Sequence, residues 1–123
     1  MPVRVIDTSV LAAFAFGESR ADEAAALLEG ANLYAPDLLP YEIGSVARSK
    51  CLTRQTTEDA AFAAIETALA IPITFVKSDT RELVVLALAS GLSVYDAAYL
   101  HLAQDLDCEL ATFDRKLQAG AKR

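Results

Sequence analysis

Four acidic side chains, each next to an apolar segment, are the strongest candidates for chemistry in this sequence: Asp7, Glu42, Asp96 and Asp114. No basic residue adjoins Asp7, Glu42 or Asp96 along the chain. Carboxylates a few Å apart repel one another by on the order of several kcal/mol at an effective dielectric of about 20. If the four meet in space, a bound cation is needed to offset that repulsion, and oxygen-only ligands suit Mg²⁺ or Mn²⁺.

A divalent ion held in this way points to phosphate chemistry. Such an ion can activate a water molecule, polarise a phosphate and stabilise the leaving oxygen, and a second ion can divide those roles with the first. The formal net charge of −6 argues against a protein that holds nucleic acid simply by being basic. Any phosphate-bearing substrate must therefore be attracted locally, which a bound cation would do because it reverses the charge that the phosphates meet.

Short apolar runs and amphipathic segments alternate along the chain, which predicts strands alternating with helices. The run Val3–Ile6 is rich in β-branched residues and ends abruptly at Asp7, as expected of a buried parallel strand. Further strands are predicted at 32–35, 73–76 and 109–112. Helices are predicted at 9–16, 19–30, from 36 onwards, 56–70, 79–91 and 93–106, with a short helical turn at 114–118.

Alternation of this kind favours right-handed crossovers and a parallel sheet covered by helices on both faces. With 123 residues the chain is long enough for one domain with a sizeable core and too short for two ordinary ones. We therefore expect a single α/β domain over residues 1–123, with three layers in the order α/β/α.

Helix starts are predicted where a polar residue stands three positions before an acid: Ser19 and Asp22, Thr56 and Asp59, Asp79 and Glu82, and Ser93 and Asp96. The long third helix is expected to begin at Pro36-Asp37, with Pro40 tolerated in its first turn. Leu39, Ile43, Val46 and Ala47 recur at helical spacing and are expected to form its buried face.

These elements would bring the four acids to one edge of the sheet. In a parallel α/β sheet the functional site lies outside the carboxyl ends of the strands. Asp7 ends the first strand, and Asp114 follows the fourth strand by two residues. Asp96 lies in the first turn of a helix, and Glu42 lies one turn into the helix after the second strand.

Three of the four acids also have a simpler structural interpretation. Asp96 can belong to a helix cap with Ser93, Asp114 can cap the last helical turn, and Glu42 taken alone reads as a solvated helix residue. Asp7 differs, because a carboxylate that directly ends a buried strand loses solvent and needs a partner. A functional role is therefore favoured most strongly for Asp7.

Four segments of the sequence resemble the motif blocks of PIN-domain nucleases, in the family's order and at sensible spacing: VIDTSVLAAF, PDLLPYEI, LSVYDAAYLHLA and ATFDRKL. The resemblance spans nearly the whole chain. It is strongest to the VapC-like toxins of bacterial and archaeal toxin–antitoxin pairs. It implies a PIN-like α/β/α fold with a parallel sheet. Family members often continue past the final helix into a short fifth strand, whereas this sequence ends at 120–123. A sheet of four strands, or of five, is therefore expected.

The resemblance also implies a function. Asp7, Glu42, Asp96 and Asp114 match the family's acidic positions, which hold Mg²⁺ or Mn²⁺ directly or through water. The hydroxyls of Ser9 and Thr112 match its polar positions beside the metal, where they could orient a ligand or the nucleophilic water. The expected activity is hydrolysis of phosphodiester bonds in single-stranded RNA without a covalent intermediate. The expected partners are a VapB-like antitoxin that blocks the acidic pocket, and a second copy of the chain in a homodimer.

Basic and aromatic residues near these motifs have less specific interpretations. Arg115 and Lys116 adjoin Asp114 and could contact phosphate, although a solvated turn would contain the same residues. A second basic group could contact RNA phosphates but fits a helix-dipole role better: Arg48, Lys50 and Arg54. Three tyrosines could lie near the rim of the site, although packing in the core or in an interface is the simpler assignment: Tyr41, Tyr95 and Tyr99.

Rival functions are disfavoured by particular positions. A phosphoryl-accepting receiver domain needs neighbouring acids after the first strand, whereas Asp7 is followed by Thr8 and Ser9. Position 9 also excludes the Asp-x-Asp pattern of one class of phosphatases. A PIN fold that has lost activity and only binds a partner is disfavoured because all four acidic positions are filled.

The cysteines, the histidine and the length of the apolar runs indicate where the protein is expected to be located. Cys51 and Cys108 are far apart and the chain has one histidine, so neither a zinc site nor a redox motif is supported. We therefore expect a cytoplasmic protein. No run approaches the roughly 18 apolar residues of a membrane span, so no membrane association is expected.

Overall fold

A four-stranded parallel sheet lies at the centre of the computed structural model, which describes residues 1–121. Its strands are β1 (Val3–Ile6), β2 (Asn32–Pro36), β3 (Ile73–Val76) and β4 (Glu109–Ala111). They are arranged in the order β3-β2-β1-β4, and every neighbouring pair is parallel. Because β1 lies between β2 and β4, the residues that follow these three strands meet at the same edge of the sheet.

Seven helices connect and cover the strands within the described residues. They are α1 (Thr8–Ala15), α2 (Ala21–Leu28), α3 (Leu39–Leu52), α4 (Glu58–Ala70), α5 (Thr80–Ser90), α6 (Val94–Asp105) and α7 (Arg115–Ala121). Helix α1 contacts α2, α3 and α4, whereas α6 contacts α5, α7 and the strands β1, β2 and β4. The α/β fold expected from the sequence is confirmed.

The core is formed by the strands together with the inner faces of α1, α3 and α6. Val5 and Ile6 are fully buried on β1, and Leu39 and Ile43 are fully buried on α3. Small side chains of α6 are buried as well, namely Ala97, Ala98 and Ala103. Short side chains allow a helix to lie close to the sheet, and this packing holds the first turn of α6 at the edge formed by the carboxyl ends of the strands.

Four predicted helix starts are wrong by one to three residues, and the first of them is α1, which begins at Thr8 and not at residue 9. Helix α3 begins at Leu39 and not at Pro36-Asp37, because β2 continues to Pro36, which pairs with Val76 of β3. The backbone N–H of Asp37 then donates to the Val76 carbonyl at 3.1 Å, so this segment is still held by the sheet. The burial predicted for α3 holds for Leu39, Ile43 and Ala47, while Val46 is only partly buried.

The other two corrections concern caps. Helix α2 begins after Arg20, whose side chain makes no capping bond, and Ser19 does not cap it as predicted. Gly17, with a φ of 63°, turns the chain before this helix, and the N–H of Ala21 donates to the carbonyl of Glu18 at 2.9 Å. Helix α4 is capped by Thr57 rather than Thr56.

The C-terminal segment is more helical than predicted. Strand β4 ends at Ala111, and α7 extends the predicted turn at 114–118 to Ala121. The sheet has four strands within the described residues, and any fifth strand at 122–123 lies outside them.

The single domain over 1–123 stays a prediction. In residues 1–121, no individual helix has the length and apolar character needed to cross a membrane.

Candidate active site at the edge of the sheet

The four acids predicted from the sequence line one pocket of about 560 Å³. Asp7 enters it directly from the end of β1, and Asp114 enters it from the turn after β4. Glu42 reaches it from the first turn of α3, and Asp96 from the first turn of α6. Residues that are up to 107 positions apart in the sequence are thus brought together.

Asp7 is the most constrained of the four. It is 5% exposed and forms the N-cap of α1, where its Oδ1 accepts from the backbone N–H of Val10 at 3.2 Å and from the Ser9 hydroxyl at 2.6 Å. Its Oδ2 accepts from the Thr112 hydroxyl at 2.5 Å. Burial raises the pKa of Asp7 above its usual range, and the charge of Asp114 adds to this, although the hydrogen bonds oppose it.

The hydroxyls of Ser9 and Thr112 connect the two sides of the pocket. Each donates its proton to Asp7 and accepts a backbone N–H from the turn after β4: Ser9 from Phe113 at 2.9 Å, and Thr112 from Asp114 at 3.0 Å. Because both hydroxyl protons go to Asp7, these residues fix the orientation of that carboxylate. They also fix the backbone that carries Asp114.

Glu42 is held by two hydroxyl groups. Its Oε1 accepts from the Tyr99 hydroxyl at 2.5 Å and from the Thr8 hydroxyl at 2.8 Å, and these two hydroxyls lie 3.0 Å apart. Burial, followed by the bond to Glu42, holds the pKa of Tyr99 far above its usual value, so the phenol stays protonated and acts as a donor. Among the described residues no donor bonds Oε2, which therefore remains open to a ligand.

Asp96 and Asp114 combine the capping geometry predicted for them with a place in the pocket. Ser93 caps α6, its hydroxyl accepting from the backbone N–H of Asp96 at 3.0 Å. Asp114 Oδ1 accepts from the backbone N–H of Leu117 at 2.9 Å, at the start of α7. Partial burial and the charge of Asp114 raise the pKa of Asp96. Capping by Asp114 uses one oxygen only, so it does not exclude a ligand on the other.

The basic residues predicted to contact substrate lie beside the pocket. Arg115 and Lys116 are exposed on the first turn of α7, and neither is part of the pocket wall. The positive charge of Lys116 partly opposes the rise in the pKa of Asp96. Lys50, from the second basic group, pairs with Glu18 at 2.6 Å.

The donor set suits a hard divalent cation, although the four carboxylates do not form a closed ligand cage. Among residues 1–121, no three acidic, histidine or cysteine side chains lie close enough to hold one ion together. Mg²⁺ keeps several waters and commonly binds through one or two carboxylates, so it does not require such a cage. Burial and the negative charge of Asp114 raise the pKa values of Asp7 and Asp96, and a cation would offset both effects.

Several residues of the pocket wall were not assigned to the site from the sequence, among them Thr8, Arg20, Tyr99 and Phe113. Tyr99 follows Asp96 by three residues and therefore shares its face of α6, a spacing that could have placed it in the pocket. Thr8 and Phe113 each adjoin an acid of the site. Arg20 carries no sequence signal, because its position depends on the turn at Gly17.

The parallel sheet and the acidic pocket at its edge define the class of the protein. The model of the PIN domain family matches residues 4–123, and the chain belongs to this family. Its relative Ribonuclease VapC3 from Pyrobaculum aerophilum is 30% identical over 118 residues, which cover 92% of this chain and 90% of the relative. The crystal structure of PAE2754 from Pyrobaculum aerophilum matches with a TM-score of 0.80 at 25% identity, covering 98% of this chain and 87% of that one. The predicted likeness to PIN-domain, VapC-like proteins is confirmed.

Proposed function

We propose that the chain is a metal-dependent endoribonuclease that cleaves RNA by hydrolysis and acts as the toxin of a VapBC-type toxin–antitoxin pair. One observation carries the proposal: Asp7, Glu42, Asp96 and Asp114, which are distant in sequence, line a single pocket. The name of the relative Ribonuclease VapC3 supports the same reaction.

In this proposal the four carboxylates hold Mg²⁺ or Mn²⁺. A bound ion of this kind lowers the pKa of a water molecule and polarises a phosphate oxygen. Asp7, which Ser9 and Thr112 orient, would be one of the ligands. Glu42, which the Tyr99 and Thr8 hydroxyls hold through Oε1, presents Oε2 to the ion or to its water.

The reaction would be a direct hydrolysis. The oxygen of water would form a bond to phosphorus while the bond from phosphorus to the leaving ribose oxygen breaks. The proton of the water would pass to a carboxylate of the pocket and from there, directly or through solvent, to the leaving oxygen, which departs as a hydroxyl. Glu42 and Asp96 are candidates to accept the proton, because both carboxylates line the pocket. No side chain of the chain forms a covalent bond to the substrate.

The proposal includes a VapB-like antitoxin that covers the pocket, a cytoplasmic location and a homodimer. The homodimer is supported by large apolar side chains that α5 exposes. Val85 is 62% exposed, Leu88 82% and Val84 40%, and all three lie on one side of the helix. A second copy packed against this face would remove them from water.

One observation favours a non-catalytic alternative, in which the same pocket only binds a partner. The carboxylates of the described residues are not gathered closely enough for three of them to hold an ion as they stand. A protein that binds without cleaving has no need to bring them closer. Cleavage assays separate the two functions.

The direct test incubates the purified protein with a cellular RNA pool in Mg²⁺ or Mn²⁺ and maps the ends of the products. We expect cleavage at defined sites, loss of cleavage with a chelator, and loss of cleavage in Asp7→Asn. The matched control is Asp105→Asn, which removes an exposed acid at the end of α6 and should cleave like the native chain. Equal cleavage by native protein and Asp7→Asn would refute the assignment.

The toxin role needs a separate experiment. Expression of the native chain should arrest growth, and co-expression of the small protein encoded beside it should restore growth. Expression of Asp7→Asn should leave growth unchanged. Normal growth on expression of an active nuclease would remove the toxin role and leave the nuclease proposal intact.

A further inference from the structure

Arg20 occupies an unusual position in the acidic pocket. It is the only basic residue among the described residues that form the pocket wall, which otherwise includes Asp7, Glu18, Glu42, Asp96 and Asp114. Glu18 is paired with Lys50. A guanidinium in such a wall would ordinarily pair with one of the four acids of the site, and Arg20 does not.

Two contacts hold the Arg20 side chain in place. Its Nε and Nη2 donate to the two carboxylate oxygens of Glu23, each at 2.8 Å. Its Cζ lies 3.7 Å from the centroid of the Phe113 ring, so the guanidinium is stacked on that ring. Phe113 adjoins Asp114 and belongs to the same pocket wall. Arg20 is therefore fixed beside the acids without neutralising them.

These contacts leave part of the guanidinium available. Five N–H groups are arranged in a rigid planar fork, and the bonds to Glu23 use one from Nε and one from Nη2. The edge formed by Nη1 and the second N–H of Nη2 has no partner among the hydrogen bonds of the described residues. A pair of parallel N–H groups of this kind matches two oxygens of a phosphate. About half of the side chain, 47%, is exposed.

We propose that Arg20 forms a phosphate-binding subsite at the mouth of the acidic pocket, which holds a phosphate of the RNA backbone next to the one that is cleaved. The inference rests on the proposed nuclease function and adds a recognition element to it. A backbone phosphate that enters a pocket lined by acids is repelled. Arg20 offsets that repulsion at one point and so fixes the register of the strand.

The stacking of Arg20 on Phe113 favours phosphate binding as well. Arginine loses rotamer freedom when it binds a ligand, and a side chain that is already held by Glu23 and Phe113 loses less. Lysine at this position would keep the charge but would lose both the fork and most of the stacking. The proposal therefore predicts a graded series, in which Arg20→Lys binds RNA more weakly than the native chain and Arg20→Gln binds it most weakly.

The first experiment measures binding apart from cleavage. Fluorescence anisotropy with a labelled single-stranded oligoribonucleotide is recorded in the Asp7→Asn background, over a range of salt concentrations. Arg20→Gln should weaken binding about tenfold or more, as expected for loss of a charge-assisted contact. It should also reduce the slope of log affinity against log salt by about 0.7, the value for one phosphate contact on a single strand. Lys77→Gln, which removes an exposed charge outside the pocket, should change neither value.

The second experiment measures cleavage of the same RNA in the otherwise native chain. Arg20→Gln should raise KM about tenfold while changing kcat by less than about threefold, because the contact positions the strand and does not touch the reacting atoms. The melting temperature of Arg20→Gln should match that of Lys77→Gln. If the Arg20–Glu23 pair had only a structural role, Arg20→Gln would instead lower the melting temperature.

The outcomes are separable from those of the proposed function. Cleavage by the native chain together with equal binding by Arg20→Gln and Lys77→Gln would overturn the subsite and leave the nuclease intact. A native chain that binds RNA through Arg20 but never cleaves it would retain the phosphate subsite and overturn the nuclease proposal. A fall in kcat with KM unchanged would also overturn the subsite, since it would place Arg20 among the groups that act on the transition state.

Discussion

Replacement of Tyr99 by phenylalanine tests the hydrogen-bonded arrangement that orients Glu42. Tyr99 is 2% exposed and donates to a carboxylate, so Tyr99→Phe removes a buried bond to a charged group without changing the packing of the ring. Such bonds contribute about 1.5 to 3 kcal/mol. Glu42 is only partly buried, which allows water to replace the lost donor, and the lower end of the range is therefore expected. At roughly 4 °C per kcal/mol for a chain of this size, the melting temperature should fall by about 6 to 8 °C.

The measurements are thermal and denaturant unfolding at constant pH, accompanied by the cleavage assay. Tyr95→Phe is a matched control on the same helix: Tyr95 is 65% exposed, and its variant should stay within about 0.5 kcal/mol of the native chain. Because the pKa of Tyr99 lies far above its usual value, the difference should persist across neutral and mildly alkaline pH. Tyr99→Phe should also reduce kcat, since Glu42 loses its orientation. The reasoning is refuted if Tyr99→Phe and Tyr95→Phe unfold at the same denaturant concentration.

Three further predictions concern the charge of the pocket. Asp7→Asn should unfold at a higher denaturant concentration than the native chain at pH 7, because burial raises the pKa of Asp7 and the ionised form therefore destabilises the fold. The destabilisation by ionised Asp7 is absent below the ordinary pKa of about 3.8 and develops as the pH rises through the ordinary and then the raised pKa. A difference in the free energy of unfolding between the two proteins that stays constant from about pH 3 to 7 would contradict this prediction. Mg²⁺ at 100 times its dissociation constant should stabilise the native chain by about 2.7 kcal/mol, and calorimetry of Asp7→Asn at the same concentration should register much less.

The meeting of three of the four acids was predictable because it follows from strand direction, whereas the position of Asp96 also depends on how α6 packs against the sheet. Once β1 and β4 are parallel, the residues after their carboxyl ends, Asp7 and Asp114, must lie at the same edge. Helix α3, which follows β2, brings Glu42 there by the same rule. The shared pocket is observed, whereas the catalytic roles of these residues stay predictions.

The details that were missed depend on contacts between distant segments. The start of α3 was misplaced because Pro36 pairs with Val76, which the local signal of Pro36-Asp37 does not contain. The bond between Tyr99 and Glu42 depends on how closely α6 packs against the sheet. The stacking of Arg20 on Phe113 joins residues that are 93 positions apart and depends on the turn before α2.

The orientation of the carboxylates by neutral groups has a physical consequence for the whole site. Thr112 holds Asp7, and Tyr99 holds Glu42, so both acids are fixed in place while their negative charge stays uncompensated. Had lysine or arginine fixed them, the pocket would be less negative and a divalent ion would gain less by entering it. Arg20 lies in the same wall but is bonded to Glu23, which leaves the charge of the pocket free for a metal and one edge of the guanidinium free for a phosphate. Under the proposed function, this arrangement would place the binding of the ion and the binding of the RNA backbone at separate points of one pocket.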